Sequence, residues 1–375
     1  MQLFYHEIII FLIPPTGKFD SFNQYGFCYS YIYFFFIAKY LSEHEAEQKE
    51  AIANLLSNLH KDENAYITVF IAHHTKSDYL LDELVLNAEI LFEKYEPATL
   101  KTDELSFFDK HEDKIVKAIL PSYQHDPEAE RKKLLIEKSE IEDRTDDEPN
   151  KTPLEDDEMS SELLQDLRLS IKTVEVMGLI IKNRSGSLSL SSLEYIFEQG
   201  LKVYLRILSS FIEIIKDEGT EQFIVNLLKE RINQIIEEND DGKDLSVDKV
   251  EKLVKVIYWN VNFGVLHGFI TKAIHSLGSI YLLKIAENVS TKETTPAAFI
   301  VNHGIKMWYD KNIRLNVMAD RLAEKDFSKT AERILKFKVV EHCIMHKIEF
   351  KKLKEIEDKL HLSATKMLVE RAKNK

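Results

Sequence analysis

The chain has 375 residues, of which only 11 are glycine and 8 are proline, a content far below average usage that argues against turn-rich sheet proteins and collagen-like repeats. At about 150 residues per domain, this length provides for two or three packing units and a sizeable core. The formal charge is −13, but residues 137–162 carry twelve carboxylates against Lys138, Arg144 and Lys151, a local −9 that leaves the rest nearly neutral. No basic footprint for gripping a phosphate backbone remains. Two cysteines, Cys28 and Cys343, cannot build a disulfide framework, which points to a reducing compartment and makes the cytosol the expected location.

Two stretches near the start are apolar, Leu3 to Ile13 and Phe27 to Leu41. A bilayer-crossing helix needs about 20 mostly apolar residues. The first stretch carries His6 and Glu7 and stops at Pro14-Pro15, and Lys18, Asp20 and Asn23 separate it from the second. A membrane anchor in residues 1–41 is therefore a secondary reading, and Met1 to Glu7 has no basic region of the secretory kind.

Residues 43–136 read as an N-terminal helical subdomain. Ala46 to Leu59 places Ile52, Leu55, Leu56 and Leu59 at helical spacing, and Ala65 to Ala72 is an apolar run that precedes His73-His74. Leu81, Leu84, Val85, Ala88, Leu91 and Phe92 predict a helix over 78–94, with Thr75 and Asp78 resembling a capping box. Residues 137–162 combine like charge and two prolines with almost no hydrophobes, and are expected to be an exposed, disordered acidic linker.

The C-terminal part, 163–375, is patterned as a helical bundle. Leu164, Leu167, Ile171, Val174, Gly178 and Ile181 step by three and four. Leu193, Phe197, Leu201, Tyr204, Leu208, Phe211 and Ile215 do the same, so two long antiparallel helices are predicted, joined at Asn183-Arg184-Ser185-Gly186. Further on, the seam Val247, Val250, Val254, Ile257 and Val261 continues onto Gly264, Gly268, Thr271, His275, Gly278 and Leu282. A bulky second face of Phe263, Leu266, Ile270, Ile274, Leu277 and Tyr281 makes residues 261–285 apolar on more than one side. That predicts a central bundle helix in which Gly264 and Gly268 serve close packing, with a kink near Gly264 or Gly278 as the competing outcome. A turn at 290–296 leads to shorter helices and a basic end. The expected fold class is all-α: stacked helical hairpins or a bundle without a fixed-period repeat.

Few residues point to chemistry. A phosphate-binding loop requires G-x-x-x-x-G-K-[ST]; Thr16-Gly17-Lys18-Phe19 has Phe11 where the first glycine belongs and Phe19 where the hydroxyl belongs. His342-Cys343-Ile344-Met345-His346 sets two imidazoles one helical turn apart, a spacing compatible with a metal, but lacks the glutamate of the metalloprotease helix. Cys343 falls on the apolar side with Val340 and Ile344. His73 and His74 diverge by about 100° on a helix and cannot chelate together. His267, His275 and His303 read as structural histidines. The sequons at Asn183 and Asn288 lack a secretory context. No catalytic, cofactor-binding or metal residue is assigned; a metal-binding enzyme using His342 and His346 is the alternative function.

Residues 27–41, with Phe27, Tyr29, Phe34, Phe35, Ile37, Ala38 and Leu41, resemble a helix that follows the nucleotide-binding module in NACHT and related STAND-class NTPases. Gly17-Lys18-Phe19 and Tyr25-Gly26 stand where that family has a winged-helix hairpin, so residues 1–42 are expected to be a remnant of it. Ile67 to Glu83, Ala88 to Leu100 and Val176 to Leu188 are similar, in the same order, to segments of a prokaryotic branch. Tyr29 replaces the family's histidine and Phe34 its glutamate, and the ATPase core is absent from residues 1–375. The resemblance covers about 19–210. It implies a non-catalytic sensor or interaction region that binds a protein partner or itself and regulates oligomerisation, with a role in prokaryotic antiphage defence. ATP would enter only through an upstream module.

Overall fold

The computed structural model describes residues 30–75, 77–121, 126–133, 136, 158–238 and 247–364. These are almost wholly helical, in agreement with the all-α expectation. The chain divides into two compact units, residues 1–87 and 88–375. Of the remnant expected over residues 1–42, residues 1–29 lie outside the described residues, as do residues 137–157 of the expected acidic linker 137–162.

The first unit contains α1 (Ser30–Glu43), α2 (Lys49–Ser57) and α3 (Asp62–His74), and the chain leaves it along α4 (Tyr79–Ile90). Helix α3 packs against both α1 and α2. Phe34, Ala38 and Leu41 of α1 are buried, as are Ile67 and Ile71 of α3 and Ile52 and Leu56 of α2, the last two being positions that helical spacing marks. Phe34 and Tyr66 stack with ring centroids 6.1 Å apart, and Phe35 meets Phe70 edge-on at 5.8 Å.

Two local expectations shift here. Thr75 does not cap the following helix: its N–H donates to Ile71 O, closing α3, and its hydroxyl accepts from Ser77 N–H at 3.0 Å. The acceptor at the start of α4 is Ser77 Oγ, 3.1 Å from Tyr79 N. Helix α4 then ends at Ile90 rather than residue 94, because Phe92 takes up a left-handed backbone (φ 54°).

The second unit starts with a strap. Ala98 N–H donates to Leu205 O, Thr99 O accepts from Ala297 N–H, and Leu100 O accepts from Ser328 N–H. The strap therefore touches three of the long helices described below. Glu104, in the first turn of α5 (Thr102–Asp109), accepts from the backbone N–H groups of Thr99 (2.9 Å) and Leu100 (2.5 Å), anchoring the strap to the helix it precedes. Residues 88–121 thus pack with the C-terminal bundle, and the unit boundary falls at Asn87/Ala88, not at the acidic segment.

The bundle consists of α6 (Glu158–Asn183), α7 (Leu190–Lys216), α8 (Glu218–Glu238), α9 (Val247–Leu277), α10 (Leu283–Glu293), α11 (Pro296–Tyr309), α12 (Leu315–Leu322), α13 (Lys329–Met345) and α14 (Phe350–Leu360). Helix α6 begins at Glu158, inside the stretch expected to be linker, and its buried apolar residues include Val174, Val176, Met177, Ile180 and Ile181. The α6–α7 hairpin turns where expected, after Asn183, and Ser189 Oγ caps α7 by accepting from Ser192 N–H. Thr295, followed by Pro296 at the first helical position, caps α11, and Ser328 caps α13. Each such cap contributes about 1 kcal/mol. The turn expected at 290–296 shrinks to two residues, since α10 runs to Glu293 and Thr294 (φ 54°) reverses the chain. A short parallel pairing of Ile119–Leu120 with Ser363–Ala364 joins the strap region to the end of the chain's described part.

Helix α9 is the central rod and packs against α6, α7, α8 and α11. By length and composition it is also the one helix among the described residues that could cross a membrane. Its inner face, Val254, Tyr258, Trp259, Phe263, Leu266, Ile270, Ile274 and Leu277, is buried in protein. Trp259 meets Phe108 edge-on at 5.0 Å and stacks on His111 at 4.0 Å. The helix runs unbroken through Gly264 and stops before Gly278.

The expected packing role of Gly264 and Gly268 is not what the structure has. A Cβ at either would meet nothing within 4 Å, because both face outward. The close approaches use other glycines. A Cβ at Gly178 would lie 1.9 Å from Ser276 O, and one at Gly304 would lie 2.2 Å from the Ile274 side chain. The glycines of α6 and α11, not those of α9, let the central rod sit deep in the bundle.

Candidate functional site

One group of buried polar residues lies between α9, α11 and α13. Lys338 of α13 is 6% exposed, and its ammonium donates to Thr271 Oγ1 and to Glu341 Oε2, the latter at 2.7 Å. The other carboxylate oxygen of Glu341 lies 3.1 Å from His267 Nε2. Burial alone would raise the Glu341 pKa, but the hydrogen bonds from His267 and Lys338 and the Lys338 charge outweigh it and bring it down to about 2. The carboxylate is therefore charged, with Oε2 held by Lys338 and Oε1 close to His267.

Next to this ladder, His275 presents its ring edge to Trp308 at 4.5 Å, and burial lowers its pKa. The His275 carbonyl accepts from Lys182 Nζ at 2.8 Å and from Tyr309 OH at 3.4 Å. Burial brings Lys182 down to about 8. At the residue after His275, Tyr204 OH and Ser276 Oγ are 2.9 Å apart. These side-chain bonds tie α6, α7 and α11 to the last two turns of α9.

His342 and His346 are brought together, with ring centroids 4.5 Å apart. They are not on one helical face in the expected sense. Helix α13 ends at Met345, and His346 is its cap residue, in extended backbone (φ −129°, ψ 145°), with its N–H donating to His342 O. His342 Nδ1 lies 3.0 Å from Met307 O. A carbonyl only accepts, so the proton sits on Nδ1 and the lone pair on Nε2. Burial lowers the His342 pKa to about 4 and raises the Cys343 thiol to about 12. Cys343 is buried and is not among the residues that line the cleft formed here by His342, His346, Met307, Met345, Trp308 and Lys338.

Among the described residues, no group of three or more His, Cys, Asp and Glu side chains is placed to hold a metal ion. His73 and His74 sit in the last turn of α3, and His74 meets Phe35 edge-on at 4.7 Å. His303 stacks on Phe299 at 4.0 Å with Nδ1 3.0 Å from Phe299 O, and burial lowers its pKa to about 4.

No protein-family model matches the chain, and neither does any curated protein or solved structure.

Other buried charged groups are also hydrogen-bonded. Glu198 accepts from Lys202 at 2.6 Å and Lys292 at 2.5 Å. Lys306, 3% exposed, donates to Glu287, which also accepts from Arg314 at 2.9 Å. The Arg206 guanidinium donates to the carbonyls of Ala88 and Glu89. Sequence reasoning missed Lys338, Glu341, Lys182 and Trp308, since a charged residue on a helix carries no sign of whether water or protein will face it.

The outer face of α9 is of a different kind. Leu253 (45% exposed), Val256 (39%) and Val261 (60%) are exposed on α9, and the open positions Gly264 and Gly268 follow them on its outer side. Asn260, in the middle of it, accepts from Val116 N–H at 2.9 Å and donates to Lys114 O, which brings the exposed Val116 to the same strip. Glu251 and Lys255 pair at its flank.

Proposed function

We propose that this chain is a non-catalytic helical module that associates with a second copy of itself through the outer strip of α9, and that it acts as the sensor-side region of a STAND- or NACHT-type signalling assembly. One observation carries the association: a solvent-facing helix strip of Leu253, Val256 and Val261, bordered by Val116 and smoothed by Gly264 and Gly268. Contact about a twofold axis sets each residue against its own kind or its neighbour, which suits an apolar strip with no charge at its centre. The glycines lower the relief of the helix so that a partner helix can approach. The family role rests on the ordered segments Ile67 to Glu83, Ala88 to Leu100 and Val176 to Leu188, and the non-catalytic reading is supported by the engagement of Glu341, Lys338, Glu198 and Lys306 in mutual pairs.

Sedimentation velocity of the full chain over a concentration series tests the association, with Val261→Glu as the comparison. Association in the wild type that Val261→Glu abolishes is expected. A chain that stays monomeric at every concentration contradicts it, and ATP turnover by the purified chain contradicts the non-catalytic reading.

A further inference from the structure

The cleft between α11 and α13 brings together a donor set that neither the ion-pair ladder nor the α9 strip uses: the imidazoles of His342 and His346 and the thioether residues Met307 and Met345. Three features narrow what this cleft would take. The cleft is small, with a cavity volume of about 20 Å³, room for a single ion. The donors are soft. Thioethers with imidazoles suit Cu(I), whereas Zn(II) takes imidazole, thiolate and carboxylate, and no group of three such ligands exists among the described residues. Finally, local charge disfavours a dication. Glu341 lines the cleft but is engaged by Lys338 and His267, and Lys338 itself is a neighbouring cation.

The structure also orients one ligand in advance. The bond between His342 Nδ1 and Met307 O fixes the tautomer that leaves Nε2 free to coordinate, which is the way a ligating histidine is held by its second nitrogen. His346, released from helical backbone at the end of α13, has its ring 4.5 Å from that of His342, close enough for both to reach one ion. We infer that His342 and His346, together with Met307 and Met345, form a binding site for one soft monovalent metal ion of the Cu(I) type. The inference is independent of the self-association proposed above.

The test is anaerobic titration of the full chain, in a Cys28→Ala/Cys343→Ala background that removes both thiols, with Cu(I) held by a chromophoric chelator. The expected result is withdrawal of one equivalent of Cu(I) per chain. The affinity should fall by about tenfold or more in Met307→Leu/Met345→Leu, a change that keeps side-chain volume, and again in His346→Gln at the half-exposed helix end. X-ray absorption should show sulfur and imidazole nitrogen around the copper. Failure to compete with the chelator, binding that the methionine and histidine changes leave intact, or Zn(II) bound as tightly as Cu(I) would each overturn the assignment. Circular dichroism of each variant separates loss of the ligand from loss of the fold.

Discussion

Gly178→Ala isolates the close approach on which the seating of α9 depends. Helix propensity alone favours alanine over glycine by about 1 kcal/mol in a helix interior. At Gly178 the new Cβ would fall 1.9 Å from Ser276 O and 2.8 Å from Ser276 C. These are backbone atoms, so no rotamer change relieves the clash, and α6 would have to withdraw from α9 by about 1.5 Å to restore ordinary contact, a shift the tightly packed interior resists. The withdrawal would also stretch the bond from Lys182 Nζ to His275 O. Overpacking costs about 1–3 kcal/mol and occasionally more; for a backbone clash this deep, about 3 kcal/mol of net destabilisation is expected. Gly264→Ala and Gly268→Ala supply the opposite sign. Neither Cβ meets anything within 4 Å, so each should stabilise by about 0.5–1 kcal/mol. The assay is urea unfolding followed by tryptophan fluorescence, which reports on the second unit because both tryptophans, Trp259 and Trp308, lie in it. A Gly178→Ala chain as stable as wild type, or a Gly264→Ala chain destabilised to the same extent, would refute the packing described for α6 and α9.

Other perturbations probe different parts of the structure. His303 and His342 are held near pKa 4 in the folded chain against an ordinary value of 6.5, so the stability they contribute is full above pH 6.5 and is lost as pH falls towards 4; each should cost about 2 kcal/mol at pH 5, and acid titration of unfolding in His303→Gln should show a shallower loss. Glu341→Gln strands the buried Lys338 ammonium and should cost about 3 kcal/mol, most of it recovered in Lys338→Met/Glu341→Gln, as a double-mutant cycle would show. Thr295→Ala removes the acceptor for Ala298 N–H and should lower stability by about 1 kcal/mol in thermal unfolding, whereas Thr291→Ala, a residue exposed on α10, should be close to neutral.

The helices were largely legible in the sequence because their apolar residues recur with the helical period. That is why the α6–α7 hairpin and its turn at Asn183-Arg184-Ser185-Gly186, and the buried face of Phe263, Leu266, Ile270, Ile274 and Leu277, appear where expected. Periodicity cannot say what lies opposite a face. Gly264 and Gly268 sit on a helix rich in apolar residues and read as packing glycines, yet they face outward, while Gly178, Gly200 and Gly304 meet neighbours. The strap at 96–101 has no period to read; its place is set by main-chain bonds to Leu205, Ala297 and Ser328, over a hundred residues distant, so residues 88–121 could not be assigned to the bundle in advance. The histidine pair was visible as a spacing. What escaped was that His346 leaves the helix and that Met307, from another helix, completes the cleft.

The proposed contact between two copies of the chain lies on the outer strip of α9. Sedimentation velocity of wild type and Val261→Glu tests it most directly, since Val261 is 60% exposed and its change leaves the core untouched. Concentration-dependent dimerisation in the wild type and a single monomeric species in Val261→Glu is the predicted result. Monomeric behaviour of both, or dimers that persist with glutamate at 261, would contradict it.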